Sequence, residues 1–168
     1  QETHVGRGKN LLQIPPALAP ATGASAVDVS DGGYTVSVTG SGAYAQAAII
    51  YANVIPGREY TISAAGISGG KGPYVTVQKP DRTGIAQINA TTLQAAFVPD
   101  DSRVIVIFVA NGGNAALESP TTAVFDGVMI EAGDTATAYE PYQDVPFLAL
   151  DNGAGQMQSV AVEAGCRA

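Results

Sequence analysis

Short segments rich in β-branched and aromatic residues recur along the chain, and each is bounded by Gly, Pro, Asn or Asp. No stretch of a dozen residues has a convincing helical period, so an all-β chain is predicted. In the segment YTVSVTG, Tyr34, Val36 and Val38 alternate with Thr and Ser, which is typical of a strand with one solvated face. RVIVIFVA, residues 103–110, is apolar on both faces and is predicted to be a central strand. Roughly eight such strands favour a β-sandwich or jelly roll.

Residues 45–98, which lie between these two predicted strands, contain further predicted strands and one predicted hairpin. AQAAIIYANV and REYTISAAG, residues 45–54 and 58–66, are joined by a Pro-Gly turn signal and are predicted to form a hairpin. YVTVQ places Val75 and Val77 on one face. IAQINATTLQAAFV, residues 85–98, is either one long bent strand or two short strands.

The stretch VFDGVMIEAGDTATAYEPY, from Val124 to Tyr142, begins as a strand and ends in an extended tail. Strict alternation would place Asp126, Val128 and Ile130 on one face, which is predicted to be the inward one. Pro141 prevents the tail from being helical, because it disfavours helical geometry in the residue before it.

This stretch resembles the closing strand and following tail of the carbohydrate-binding-module-like jelly-roll domains found in bacteriophage tail, baseplate and fibre proteins. The matching positions include 125–126, 128, 130–131, 133, 135–137 and 139–142, with Gly127 and Met129 where Asn and Gln are commoner. GKNLL at 8–12 and PGREYTIS at 56–63 resemble two further segments of these domains. The resemblance selects the jelly roll, covers about residues 9–142, and implies a virion appendage as the location.

Length, charge and rare residues exclude several classes of function. A chain of 168 residues suits one domain, predicted here as a leader at 1–9, a sandwich at 10–142 and a C-terminal extension at 143–168. The net charge of −7 and the scattered Lys and Arg argue against a nucleic-acid partner. No apolar run is long enough for membrane insertion, and no signal peptide is visible. Cys166 and His4 are single, so thiolate clusters, disulfides and the common imidazole-based catalytic sites are not expected, and no enzyme is predicted.

The candidate ligand-binding residues are tyrosines. An aromatic face and a phenolic hydroxyl can contact a sugar, and Tyr44 and Tyr74 rank ahead of the other tyrosines because each lies beside a Gly-rich loop. The competing interpretation is that these side chains only pack on the sandwich, since tyrosines in strands are usually half-buried.

A cofactor is not predicted, although Asp126 is the residue that would bind a structural calcium ion. The resemblance implies this possibility, because related carbohydrate-binding jelly rolls often hold calcium through a carboxylate of the last strand. Such sites commonly include an acid just after the N-terminal Asn, and Asn10 is followed here by Leu-Leu-Gln. Calcium is therefore disfavoured, and a carboxylate bonded to backbone amides is the alternative.

Two functions from different classes remain open for a non-enzymatic module of a phage virion. The domain could bind host-surface polysaccharide, or it could be a structural module for oligomerisation, decoration or attachment to other phage proteins. Phe147, Leu148 and Leu150 lie beyond the predicted sandwich and are predicted to contact neighbouring chains in a homo-oligomer, for which a trimer is the expectation.

Overall fold

A computed structural model describes residues 8–143, 147–151 and 157–161 of the chain. These residues form β-strands, one 3-10 turn at Asp31–Gly33, and connecting loops. The strands are β1 Ala24–Ser30, β2 Thr35–Gly40, β3 Ile50–Asn53, β4 Tyr60–Ser63, β5 Gly66–Gly69, β6 Tyr74–Gln78, β7 Gly84–Asn89, β8 Gln94–Phe97, β9 Arg103–Val109, β10 Thr121–Asp126, β11 Met129–Ala132, β12 Phe147–Asp151 and β13 Met157–Ala161. The predicted all-β class is confirmed.

Two pairs of consecutive strands act as single long strands with a kink. Gly66 of β5 lies opposite Asp126 of β10, and Ser63 of β4 lies opposite Met129 of β11, so one register continues through both pairs. The first sheet therefore runs β1, β2, β10 with β11, β5 with β4, and then β8. The second sheet has the order β3-β9-β6-β7.

The pairing is nested from the outside of the chain inward, which is the jelly-roll arrangement. β2 pairs with β10, β3 with β9, β4 with β8, and β6 with β7, and every pair is antiparallel. Each sheet consequently takes strands from both halves of the chain. The predicted jelly-roll sandwich is confirmed by this topology.

The core lies between the inner faces of the two sheets. Val36 and Val38 project inward from the first sheet, and Val75 and Val77 project inward from the second; all four are fully buried. Phe108 and Phe125 meet across the layers edge to face, with ring centroids 5.2 Å apart. As predicted, β9 is a central strand, with β3 on one side and β6 on the other.

The predicted hairpin of residues 45–66 is wrong. β3 pairs with β9 and β4 pairs with β8 and β11, so the turn after Pro56 carries the chain from one sheet to the other. Alternation shows that each strand has an apolar face, but it does not show which strand pairs with it. Residues 85–98 form two short strands, β7 and β8, which again belong to different sheets.

The predicted inward position of Asp126 is also wrong. Phe125 and Val128 are both buried in the core, which strict alternation forbids for residues three apart. Gly127 lies between them with φ +61°, and this left-handed residue reverses the facing of the strand. Asp126 therefore lies on the outer face, where its Oδ1 accepts a hydrogen bond of 2.7 Å from the Thr35 hydroxyl. The inward positions of Val128 and Ile130 are confirmed.

The segments before and after the sandwich lie against each other and form a terminal clasp, defined here as residues 9–12 and 137–140. The side-chain amide of Asn10 donates to the Glu140 carbonyl at 2.9 Å, and the Asn10 oxygen accepts from the Leu12 amide at 2.9 Å. Leu11 donates its amide to the carbonyl of Ile130 in β11. The N-terminal segment and the Tyr-Glu-Pro-Tyr tail, which both carried the resemblance, are thus in direct contact.

A buried carboxylate secures the second half of the clasp. Glu131 is 4% exposed, and its two oxygens accept hydrogen bonds from the amide and the hydroxyl of Thr137 at 3.0 and 2.6 Å. The same hydroxyl accepts from the Lys9 ammonium group at 2.6 Å. This chain of polar contacts satisfies a charge that would otherwise be costly to bury.

The C-terminal extension contains a separate pair of antiparallel strands. β12 and β13 pair in a regular register, with Phe147 opposite Ala161 and Asp151 opposite Met157. β12 contains Phe147, Leu148 and Leu150. The structure describes the strand at these residues but not their side chains. Residues 1–7 of the predicted leader lie outside the described residues as well.

Candidate ligand-binding face

The outer surface of the second sheet has an apolar floor. Ile105, Ile107 and Val109 point away from the sandwich core on β9, yet each is only 2% exposed; Ile49 and Tyr74 are among the residues that pack against them. Polar and aromatic side chains of β3, β6 and β7 surround this strip. We call the surface the tyrosine face; its members are Tyr44, Ile49, Tyr51, Tyr74, Thr76, Gln78, Gln87, Asn89, Arg103, Ile105, Ile107 and Val109.

Tyr44 and Tyr74, the two tyrosines singled out from the sequence, lie together at one end of this face. Burial raises the pKa of Tyr74 above its ordinary value, and the neighbouring Tyr44 raises it further. Tyr44 is 43% exposed and adopts φ +54°, a conformation that is uncommon for an aromatic residue. Its amide donates to the Gly113 carbonyl at 3.0 Å, which helps to hold the strained backbone. Strain of this kind often occurs at binding sites.

A shallow cavity adjoins Tyr74. Its volume is about 280 Å³, and its lining includes Tyr74, Gln87, Asn89 and Thr91. The Asn89 oxygen accepts hydrogen bonds of 2.9 Å from the amides of Thr91 and Thr92 and from the Thr91 hydroxyl, so the amide group is held in one orientation. A fixed amide beside an aromatic ring is suited to orienting a hydroxylated ligand.

The opposite end of the tyrosine face carries residues that the sequence did not single out together. Tyr51 is 46% exposed, and the Arg103 guanidinium lies over its ring, 4.3 Å from the centroid. Gln78 lies in the same row, because Tyr51 and Gln78 flank Ile105 from either side. The two ends are about 20 Å apart along β9 at the usual rise of a strand. One feature of the sequence could have placed Arg103 on this face. Arg103 alternates in step with Ile105 and Ile107, so the three side chains lie on the same side of β9.

The remaining strand tyrosine candidates do not lie on this face. Tyr60 is buried, stacks on Phe97, and accepts a hydrogen bond from the Ile55 amide at 2.8 Å through its hydroxyl. Tyr34 packs edge to face against Tyr139 of the clasp, with centroids 4.9 Å apart. Burial raises the pKa of Tyr139, and Tyr34 adds to this effect. Tyr34 and Tyr60 thus pack within the domain, away from the tyrosine face.

A larger cavity of about 470 Å³ lies at the edge of the sandwich beside the clasp. Its lining includes Lys9, Arg58, Tyr60 and Glu131. The Lys9 ammonium and the Glu131 carboxylate are both bonded to Thr137 of the clasp. Since these polar groups already serve the clasp, the tyrosine face offers a better set of groups for a ligand.

The described residues bring together no group of three or more His, Cys, Asp or Glu side chains that could hold a metal ion. Asp126 has a hydroxyl donor as its partner, which suits a carboxylate without a metal. His4 and Cys166 lie outside the described residues. In the part of the chain that the structure describes, no helix is long and apolar enough to cross a membrane.

The chain matches no known protein family and no curated protein in sequence. Several solved structures are similar in fold. One is a CBM4 structure, with 22% identity over 66% of this chain and 77% of that chain and a TM-score of 0.41. Another is the accessory secretory protein 1, 2 and 3 structure from Streptococcus pneumoniae, with 11% identity, coverage of 77% and 99%, and a TM-score of 0.46. A third is an arabinose-bound α-L-arabinofuranosidase, with 15% identity and a TM-score of 0.36, where the match covers 74% of this chain and 25% of that chain.

Proposed function

We propose that the tyrosine face binds a polysaccharide chain and that the domain is a non-catalytic binding module. The observation that carries this proposal is the pair of aromatic ends on one sheet face, Tyr44 with Tyr74 and Tyr51 with Arg103, of which Tyr44 and Tyr51 are exposed. A strip of buried apolar residues lies between them. Aromatic rings can pack against the C–H groups of sugars, and ordered amides can bond their hydroxyls. A face about 20 Å long accommodates several sugar units of an extended chain.

The setting proposed for this activity is an appendage of a phage particle, where the polysaccharide would be that of a host surface. The motif resemblance of residues 8–12, 56–63 and 124–142 supports this setting. The terminal clasp is consistent with it, because a domain whose two ends are bonded together can project from a longer assembly as a side module.

Polysaccharide binding is tested with a panel of bacterial surface polysaccharides and with alanine variants. Tyr74→Ala and Tyr44→Ala should each weaken binding by about tenfold or more, because each removes a stacking surface. Ser37→Ala and Thr122→Ala, on the outer face of the other sheet, are the matched controls and should leave binding unchanged. Calorimetry and affinity electrophoresis measure the effect. Equal losses in the control variants, or no binding by the parent to any polysaccharide, would refute the proposal.

A second proposed role, in assembly, rests on β12 and β13. These strands pair with each other, and among the described strands neither has another neighbour. An isolated two-stranded hairpin is marginally stable in water, so this pair needs further packing. We propose that the hairpin packs against other copies of the chain, with a trimer as the expected state. Light scattering on the full chain and on a truncation after Tyr142 tests this: the truncation should lower the oligomeric state and leave the sandwich folded. A monomer in both, or a truncation that fails to fold, would contradict it.

A further inference from the structure

The Arg103 end of the tyrosine face differs chemically from the Tyr44 end. Arg103 is an exposed residue of β9, and its guanidinium is stacked on the ring of Tyr51. A stacked guanidinium keeps its N–H donors at the edge of the plane, where they form a planar fork that matches a carboxylate. The ring beneath it removes water from one side of the charge, which strengthens any ion pair formed there.

One of the carboxylates near this end is ion-paired, and two others accept local backbone hydrogen bonds. Asp100 forms an ion pair with Lys79 at 3.1 Å. Asp81 and Asp101 each accept a backbone amide, from Thr83 at 2.9 Å and from Ser102 at 3.0 Å. Among residues 8–143, Arg103 has no carboxylate partner within ion-pair distance. Within the described residues, the guanidinium of Arg103 is therefore held over a ring but not by an ion pair.

A second guanidinium lies along the same end of the face. Arg82 donates from Nε to the side-chain oxygen of Gln78 at 2.9 Å. Because Gln78 is neutral, this hydrogen bond orients Arg82 without neutralising it. Gln78 is next to Ile105, whose other neighbour is Tyr51, so both cations border the same sheet row.

We propose that the Tyr51 and Arg103 end is a subsite for a carboxylate-bearing sugar, so that the ligand is a uronic-acid polysaccharide. The proposal rests on the polysaccharide function above and adds a chemical class to it. One sugar unit of the chain stacks on the exposed ring of Tyr44, while the carboxylate of another unit pairs with Arg103 in a bidentate geometry. The net negative charge of the chain disfavours densely charged polyanions at long range, so spaced carboxylates fit this face better than polyphosphates.

The experiment compares polysaccharides that differ only in the carboxylate. Hyaluronan, polygalacturonate and alginate oligomers are each titrated into the full chain beside their carboxyl-reduced forms, with a sulfated polysaccharide as a further arm. At least one uronic-acid oligomer should bind about tenfold or more tightly than its reduced form and than the sulfated arm. Binding only to neutral polysaccharides would overturn this proposal and leave the polysaccharide function intact. Equal binding of the sulfated arm would overturn the carboxylate preference.

Variants of Arg103 assign the effect to this subsite. Arg103→Gln should lose about tenfold in affinity for the carboxylated oligomer and change affinity for the reduced form less than about twofold, while Arg103→Lys should retain part of the preference. Arg58→Gln, which removes the same charge from the cavity beside the clasp, is the control and should keep the preference. An Arg103→Gln variant that melts normally and still prefers the carboxylated oligomer would refute the assignment.

Discussion

The two outer faces of the sandwich have opposite chemistry. On the first sheet, Thr39 and Thr122 share a hydrogen bond of 2.7 Å between their hydroxyls, and Thr35 donates to Asp126 at the same distance. We call this the hydroxyl face; its polar groups satisfy one another along the sheet. On the tyrosine face, exposed rings and a guanidinium project above an apolar floor.

The difference shows which face is equipped to bind a ligand. Polar groups that are already paired gain little from a new partner, since binding would only exchange one hydrogen bond for another. Exposed aromatic rings gain from removal of water, and a cation that forms no ion pair among the described residues gains from an anion. The proposed ligand face is therefore the one whose interactions are incomplete within the chain.

The largest expected effect is a loss of folding stability when a charge is placed in the core that both faces share. Val128→Asp should unfold the domain, because it buries an unpaired carboxylate at a cost of several kcal/mol. Val124→Asp is the matched control: Val124 is half-buried on the hydroxyl face, between Ser37 and Ser68, and should melt much closer to the parent. Urea and thermal unfolding give the comparison. A Val128→Asp variant that melts within a few degrees of the parent would show that the faces are assigned incorrectly.

A smaller loss of stability is expected at Gly127, which lies between β10 and β11 and shifts the alternation of inward and outward side chains. Gly127→Ala should destabilise the domain by about 1–2 kcal/mol, because Gly127 has φ +61°. An added Cβ would also approach the Cβ of Ala65 to 2.9 Å. Gly57→Ala, at φ +82° with open space around it, is a control for the backbone cost alone. Equal unfolding free energies for Gly127→Ala and Gly57→Ala would mean that the close approach to Ala65 adds nothing.

Metal removal should leave the hydroxyl face unchanged. Asp126 is bonded to Thr35 and lies in no cluster of metal-binding side chains among the described residues, so EDTA should not shift the melting temperature. Asp126→Asn keeps an acceptor for the Thr35 hydroxyl and should cost less than about 1 kcal/mol. A large fall in melting temperature with EDTA that calcium restores would establish the structural calcium site instead.

The smallest effect is a loss of stability at alkaline pH. Burial is the main cause that raises the pKa values of Tyr74 and Tyr139 above the ordinary value near 10. Because the unfolded chain then releases these protons at lower pH than the folded chain, stability is retained below pH 10 and falls as the pH rises through the folded pKa values. Ultraviolet titration of tyrosinate should show late-ionising groups, and Tyr74→Phe should remove one of them. A titration curve identical to the parent's would contradict this assignment to the tyrosine face.

The sequence by itself determined the all-β class and much of the core. Alternation in β2 and β6 grouped Val36 with Val38, and Val75 with Val77, on one face of each strand, because successive strand residues face opposite sides of a sheet. The structure buries all four. The two-sided apolar pattern of β9 likewise marked a central strand. These features are local, so a short stretch of residues is enough to establish them.

Only the tertiary structure decided the partners of each strand and the composition of the ligand face. Residues 45–54 and 58–66 read as a hairpin but belong to different sheets, because a strand pattern shows a buried face and not the strand beside it. The reversal at Gly127 moved Asp126 outward, since a glycine can adopt a left-handed φ that shifts the alternation. Tyr44, Tyr51, Tyr74 and Arg103 come from distant parts of the chain. They share one surface because the nested jelly-roll pairing places β9 between β3 and β6.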